Sequence, residues 1–226
     1  MEQLFNGFTL DVPPGSFPLS TDSMILAHFT RLPKNAKVLD LGAGCGTLGI
    51  LLCAKDANCR VTGIEISEDA HLAAMENICR NHLQNRMESI CADLRQLMIQ
   101  GGFDCCISNP PYFSGGAASK ENPIARRDDT CPTDSLFAAA AKALKFGGDF
   151  FLVHKPEKLA SLMAEAIAVG LEPKRLCTVF HHHGSDISLI LLACRKGAKP
   201  GLKWEQLYLF DDKGEPTPEY KSIYHL

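Results

Sequence analysis

Between Lys37 and Ala54 a short apolar run, Lys37 to Leu41, leads through Asp40, Leu41, Gly42, Ala43, Gly44, Cys45 and Gly46 into a second apolar stretch, Leu48 to Ala54. An acid, alternating glycines and a helix-length apolar segment read as strand, tight turn and helix. Glycines at such a turn let the backbone pass close to a ligand, and the free N–H groups of the following helix start suit a carboxylate or phosphate. The arrangement belongs to α/β sheets, whose ligands bind outside the carboxyl ends of the strands.

The rest of the chain keeps that rhythm. Arg60 to Ile66 is rich in β-formers and closes on Glu65; Ser67 is placed as N-cap of a helix running to Asn81, with Glu68 and Asp69 in its first turn. Met87 to Ala92 and Phe103 to Ser108 read as short buried strands. Thr133 to Leu144 is an alanine-rich helix closed by Gly147 and Gly148, followed by a strand from Phe150 to Val153 and a helix from Pro156 to Val169. Lys174 to Phe180 and Ile187 to Cys194 are strands joined only by residues 181–186, too short a link for a crossover helix, so they form an antiparallel hairpin. The expected architecture is α/β: a mostly parallel seven-stranded sheet ending in a C-terminal antiparallel hairpin, with helices on both faces. Residues 1–31 read as an N-terminal extension packing near the glycine turn, 32–196 as the main α/β domain, and 197–226 as a surface tail packed on it.

One such domain fits 226 residues, and 46% hydrophobic with 22% charged side chains excludes a disordered chain. A net charge of −3, from 23 basic and 26 acidic residues, exerts no global pull on polyanions, so a nucleic-acid partner needs a local basic patch. No run approaches the roughly 18 apolar residues of a membrane span, and Met1 to Leu10 lacks the charged and apolar regions of an export signal. Neither membrane insertion nor export is expected. The 10 cysteines include no Cys-x-x-Cys pair and sit mostly in apolar segments, which predicts reduced, buried thiols and a cytoplasmic protein. His181, His182 and His183 have no partners at zinc spacing and read as a polar turn; no metal is expected. Phe5, Phe8 and Phe17 in the extension could cover a bound ligand or cap the sheet, and core packing is the default reading.

Gly44, Gly46 and Gly49 also satisfy G-x-G-x-x-G, and Glu65 suits a ribose diol. The glycines therefore leave a dinucleotide-dependent oxidoreductase open beside a site for S-adenosylmethionine. Asp40 favours the latter, because an acid before the first glycine repels a pyrophosphate and attracts a methionine ammonium. Asp93, ending the third strand, offers an acceptor to an adenine amino group. Singly, Glu65 and Asp93 would pass for solvated strand-end acids; their joint spacing favours ligand contacts.

The next strand ends in Ile107, Ser108, Asn109, Pro110, Pro111, Tyr112 and Phe113. Two prolines fix the backbone just past the strand's carboxyl end. The Asn109 side-chain oxygen and the Pro110 carbonyl form a rigid pair of acceptors beside an aromatic platform at Tyr112. Such a pair suits an sp² amino group on a flat ring or amide. Its lone pair is conjugated, and acceptors aimed at its hydrogens favour pyramidalisation towards an electrophilic methyl.

Asp40 to Gly46, Glu65, Asp93 and Asn109 to Tyr112 together resemble the motifs of class I S-adenosylmethionine-dependent amino-group methyltransferases, whose sheet also ends in a hairpin. Thr21 to Ala27, Ala125 to Arg127, Lys199 to Lys203 and Glu219 to Tyr224 extend the resemblance over nearly the whole chain, to the bacterial tRNA1(Val) adenine-N6 methyltransferases. The resemblance implies a Rossmann-like fold and S-adenosyl-L-methionine held by Asp40, Gly42, Gly44, Gly46, Glu65, Ile66, Asp93, Leu94 and Asn109. It implies catalysis by Asn109, Pro110, Pro111 and Tyr112 on an adenosine beside the anticodon of a tRNA. The sequence shows no obligate protein partner. Tyr112, Phe113, Lys120, Arg126, Arg127 and Lys155 are the candidate substrate contacts, although Asp128 and Asp129 follow the arginines. The Asn-Pro-Pro-Tyr motif is shared with enzymes acting on release-factor glutamine, ribosomal guanine and DNA adenine. From the motif alone, a protein-glutamine methyltransferase remains the alternative.

Overall fold

The computed structural model describes residues 1–13, 19–111 and 132–224. After a small antiparallel ribbon, β1 (Glu2–Gln3) and β2 (Thr9–Leu10), comes helix α1 (Thr21–Phe29). The α/β run follows as β3 (Lys37–Leu41), α2 (Thr47–Lys55), β4 (Arg60–Glu65), α3 (Glu68–Arg80), β5 (Met87–Cys91) and β6 (Phe103–Ser108). Then come α4 (Thr133–Ala143), β7 (Leu144–His154), α5 (Leu159–Ala168), β8 (Leu171–Phe180), β9 (Ile187–Lys196), β10 (Lys203–Tyr208) and α6 (Pro218–Tyr224).

Among the described residues the main sheet has 8 strands in the order β10-β8-β9-β7-β6-β3-β4-β5. The strands from β7 to β5 in that order are parallel, β9 runs antiparallel to both β7 and β8, and β10 pairs parallel with β8. Side chains alternate across this sheet and build two cores. Val38, Val61, Ile107, Phe151 and Val179 pack with α1, α2 and α6; Leu39, Leu41, Ile64, Phe150 and Leu192 pack with α4 and α5. A fully buried side chain of this kind contributes about 1.5–3 kcal/mol, so the two faces together supply the main driving force. In α2 every residue from Leu48 to Ala54 is buried, because the helix lies between the sheet and α1.

Several expectations are corrected. The sheet has eight strands instead of seven, because residues 203–208 of the expected surface tail join it at an edge. Its register on β8 is secured by Arg175, whose guanidinium donates to both Glu205 carboxylate oxygens at 3.2 and 3.0 Å and lies 4.0 Å from the centre of the Phe29 ring. Gly147 and Gly148 do not close α4: the helix ends at Ala143 and the glycines lie inside β7, where a side chain on Gly148 would come within 2.9 Å of the Asp104 carbonyl. The expected helix from Pro156 divides into a 3-10 turn, Pro156–Lys158, and α5. Of the described cysteines, Cys79 and Cys91 are exposed, one on the outer side of α3 and one on the edge strand β5; the others are buried and unbridged. No described helix is long and apolar enough to cross a membrane.

The extension is fastened beside the glycine turn. Asn81 exchanges a pair of hydrogen bonds with the Thr9 backbone at 2.8 and 2.7 Å, and Asn77 does the same with Asp11 at 2.9 and 2.8 Å. Asn77 Nδ2 also donates to the Cys45 carbonyl at 3.1 Å, tying extension and turn through one buried side chain. Phe5 and Phe8 pack against the core on this face; Phe17 lies outside the described residues.

Candidate active site

Strands β3, β4, β5 and β6 end along one edge, with the direction of winding reversing between β3 and β6. That reversal opens a crevice above the carboxyl ends. The turn after β3 is held against β4: the Gly42 and Ala43 N–H groups both donate to the Ile64 carbonyl, at 3.0 and 2.9 Å. Gly42 and Gly44 take φ of +77° and +56°, and a Cβ on either would meet nothing within 4 Å. Backbone conformation, and not lack of space, therefore requires the glycines.

Glu65 ends β4 with both carboxylate oxygens engaged, Oε2 by the Gly44 N–H and Oε1 by the Ser67 N–H, each at 2.8 Å. Each oxygen keeps a second lone pair for a hydroxyl donor. Ser67 caps α3 as expected, accepting from the Ala70 N–H. Ile66 is exposed beside Glu65. Asp93 caps the 3-10 turn Leu94–Gln96 through the Arg95 N–H at 2.9 Å and also receives the Arg95 guanidinium. The Arg95 hydrogen bonds hold the Asp93 carboxyl below its ordinary pKa. An adenine amino group there would share an acceptor that the protein already uses.

Asp40 is fully buried, and neither carboxylate oxygen has a hydrogen-bond partner. It projects to the α2 side of β3, where desolvation first and the Glu65 charge second push its pKa up to about 7; the Gly49 N–H opposes this from too loose a position to make a hydrogen bond. A buried acid without donors beside an open glycine turn fits a ligand bearing a cationic amine.

At the end of β6, Ser108 Oγ donates to the Leu41 carbonyl at 2.6 Å, locking this strand end to β3. Asn109 Nδ2 donates to Ser23 Oγ of α1 at 3.0 Å. Pro110 is buried and Pro111 half-buried.

Residues 20–168 match the methyltransferase small domain family. A tRNA1(Val) (adenine(37)-N6)-methyltransferase of Tolumonas auensis is 30% identical over 223 residues, spanning 97% of this chain and 93% of its own. The chain belongs to this methyltransferase family. A protein of the same name from Shewanella halifaxensis is 33% identical over 178 residues, covering 76% of this chain and 71% of its own. Among solved structures, a predicted O-methyltransferase of Agrobacterium tumefaciens has a TM-score of 0.76 at 20% identity, covering 91% of this chain and 96% of its own. A T. Thermophilus 16S rRNA methyltransferase solved with AdoMet and guanosine has a TM-score of 0.63 at 24% identity, over 86% of this chain and 49% of its own. At these identities the structural likeness shows the Rossmann-like fold.

The methyltransferase thus brings Asp40, the three glycines, Glu65, Asp93 and Asn109 to one edge. Lys155 follows β7, next in the sheet to β6, and its Nζ donates to the Ser188 carbonyl at 3.4 Å. Tyr112, Phe113, Lys120, Arg126 and Arg127 lie outside the described residues. The histidine turn is a polar one: His181 stacks on Phe210 and His183 on Tyr208. Among the described residues no three His, Cys, Asp or Glu side chains gather as a metal-ligand set. Sequence reasoning missed Ser23, Ser108 and Asn77 as supports of the site. The apolar run after Ser23 signals a helix but not its target, and Asn77 is signalled only as a polar residue on an otherwise buried helix face.

Proposed function

We propose that this methyltransferase carries the methyl group of S-adenosylmethionine to the exocyclic N6 of an adenosine in tRNA, at position 37 of tRNA1(Val), beside the anticodon. Relatives bearing that activity in their names, at 24–33% identity over most of the chain, support the reading. Those names carry the choice of tRNA; the observation that carries the amino-group chemistry is the Asn109 amide. With its nitrogen committed to Ser23, its oxygen lies on the opposite side of the side chain, as an acceptor for an amino hydrogen.

S-adenosylmethionine, when bound, supplies an electrophilic methyl on a sulfonium. Asp40 takes the charge of its ammonium, Gly42, Gly44 and Gly46 admit it to the turn, and Glu65, Ile66, Asp93 and Leu94 hold its ribose and adenine. Asn109 Oδ1 and the Pro110 carbonyl accept the two hydrogens of the adenosine amino group and draw its lone pair out of conjugation. Pro110 and Pro111 keep that carbonyl in place, so no reorganisation is required as charge develops. Tyr112 stacks on the base, which an unpaired loop releases more cheaply than a duplex does. The surplus proton passes to solvent after transfer, because the methylated ammonium is strongly acidic. Lys120, Arg126, Arg127 and Lys155 contact tRNA phosphates, and the enzyme works in the cytoplasm without an obligate protein partner.

Single-turnover assays of Asn109→Ala on transcript tRNA, read as N6-methyladenosine by mass spectrometry, test this. The transfer rate is expected to fall roughly 100- to 1000-fold. Transfer at the parent rate overturns the assignment, and methylated release-factor glutamine in place of methyladenosine moves the substrate to protein.

A further inference from the structure

We infer that Ser23, in the N-terminal helix, is the positioning residue that sets which way the Asn109 amide faces; the inference rests on Asn109 acting as the acceptor. A carboxamide occupies nearly the same space in its two flipped orientations. Only one of them serves this reaction. With the oxygen towards the adenosine amino group a hydrogen bond forms; with the NH2 towards it, donor meets donor.

A lone serine hydroxyl does not choose between these orientations, since it both donates and accepts. Ser23 is not alone. It is buried, and its Oγ lies 3.3 Å from Ser20 Oγ, the cap of the same helix. Either hydroxyl of that pair can be the donor; with Ser23 as the donor, as the inferred role requires, only its lone pairs remain for Asn109. The bond found, Nδ2 donating to Ser23 Oγ at 3.0 Å, is the one that arrangement accepts. The oxygen is thereby turned away from α1.

The helix is held firmly enough to keep that register. At its start Tyr224 Oη of α6 pairs with Thr21 Oγ1 at 3.2 Å. At its end Lys55 Nζ of α2 donates to the carbonyls of Ala27, His28 and Thr30 at 2.9, 2.9 and 2.7 Å. Segments from both ends of the chain thus serve an asparagine in its middle.

The test is a double-mutant cycle in single-turnover methylation of transcript tRNA, with S-adenosylmethionine and tRNA affinities measured beside it. Ser23→Ala is expected to slow transfer about tenfold or more, the worth of one oriented hydrogen bond, with both affinities within about twofold. Ser23→Thr and Ser23→Val have the same shape, so recovery by Thr and not by Val assigns the effect to the hydroxyl even if Ser23→Ala melts early. The double variant Ser23→Ala with Asn109→Ala is expected to be no slower than Asn109→Ala alone. Slow Asn109→Ala beside parent-rate Ser23→Ala overturns the role of Ser23 only, as does full multiplication of the two losses. Parent-rate Asn109→Ala overturns the reading of the site, and this inference with it.

Discussion

Glu65 accepts the Gly44 N–H at 2.8 Å, so the carboxylate assigned to the ribose hydroxyls also closes the glycine turn beneath them. Its other oxygen holds the Ser67 N–H at the start of α3. The proposed cofactor contact and the turn geometry are therefore coupled through one side chain. Glu65→Gln keeps one acceptor oxygen and loses the charge. It is expected to weaken S-adenosylmethionine binding by about 1.5–3 kcal/mol, the range for charge-assisted hydrogen bonds, and to lower the melting temperature. Unchanged affinity by titration calorimetry removes Glu65 from the cofactor site.

Asp40 links the site to pH. Its folded-state pKa of about 7 stands above the ordinary value of 3.8, chiefly through burial. The fold therefore holds this proton more tightly than the unfolded chain does. The stability it contributes is complete below about pH 4 and is lost as pH rises through about 7, a change on the order of a few kcal/mol. Asp40→Asn cannot ionise, so without ligand it should melt above the parent at pH 8, with the gap closing towards pH 4. The same variant should bind S-adenosylmethionine more weakly, having no charge for its ammonium. Identical pH dependence of melting in parent and variant would sink the argument.

Gly63 lies directly beneath the turn. A Cβ there would sit 2.9 Å from Ala43 Cβ, and neither atom has a rotamer by which to retreat. Gly63→Ala should cost about 1–3 kcal/mol by overpacking and weaken cofactor binding by displacing residues 42–44. Melting and calorimetry on the one variant check both; an unaltered affinity would show that the turn tolerates the shift.

Lys155 stands at the end of the strand beside β6. As a phosphate contact, it should lose tRNA affinity on change to Ala with little effect on cofactor binding. The slope of log affinity against log salt should fall by about one. A parent-like slope places the phosphate contacts elsewhere.

Much of the architecture was legible locally. The strand, turn and helix from Lys37 to Ala54, the Ser67 cap and the hairpin across residues 181–186 each follow from periodicity or turn chemistry within a few residues. So did the strand-end positions of Asp40, Glu65, Asp93 and Asn109, because a parallel sheet brings the carboxyl ends of its strands to one edge.

By itself, the sequence determined which segments become strands and helices, and which chemistry their ends carry. Tertiary structure alone decided that β10 joins the sheet, since a short charged edge strand is stabilised by the Arg175 and Glu205 pair 30 residues apart. It also decided that Gly148 lies in a strand, where the β6 backbone approaches too closely for a side chain. The contact between Asn109 and Ser23 spans 86 positions and joins two residues whose neighbours carry no mark of each other. Such contacts depend on how helices stack on the finished sheet, and local propensity does not encode the relative placement of elements that meet only after both have formed.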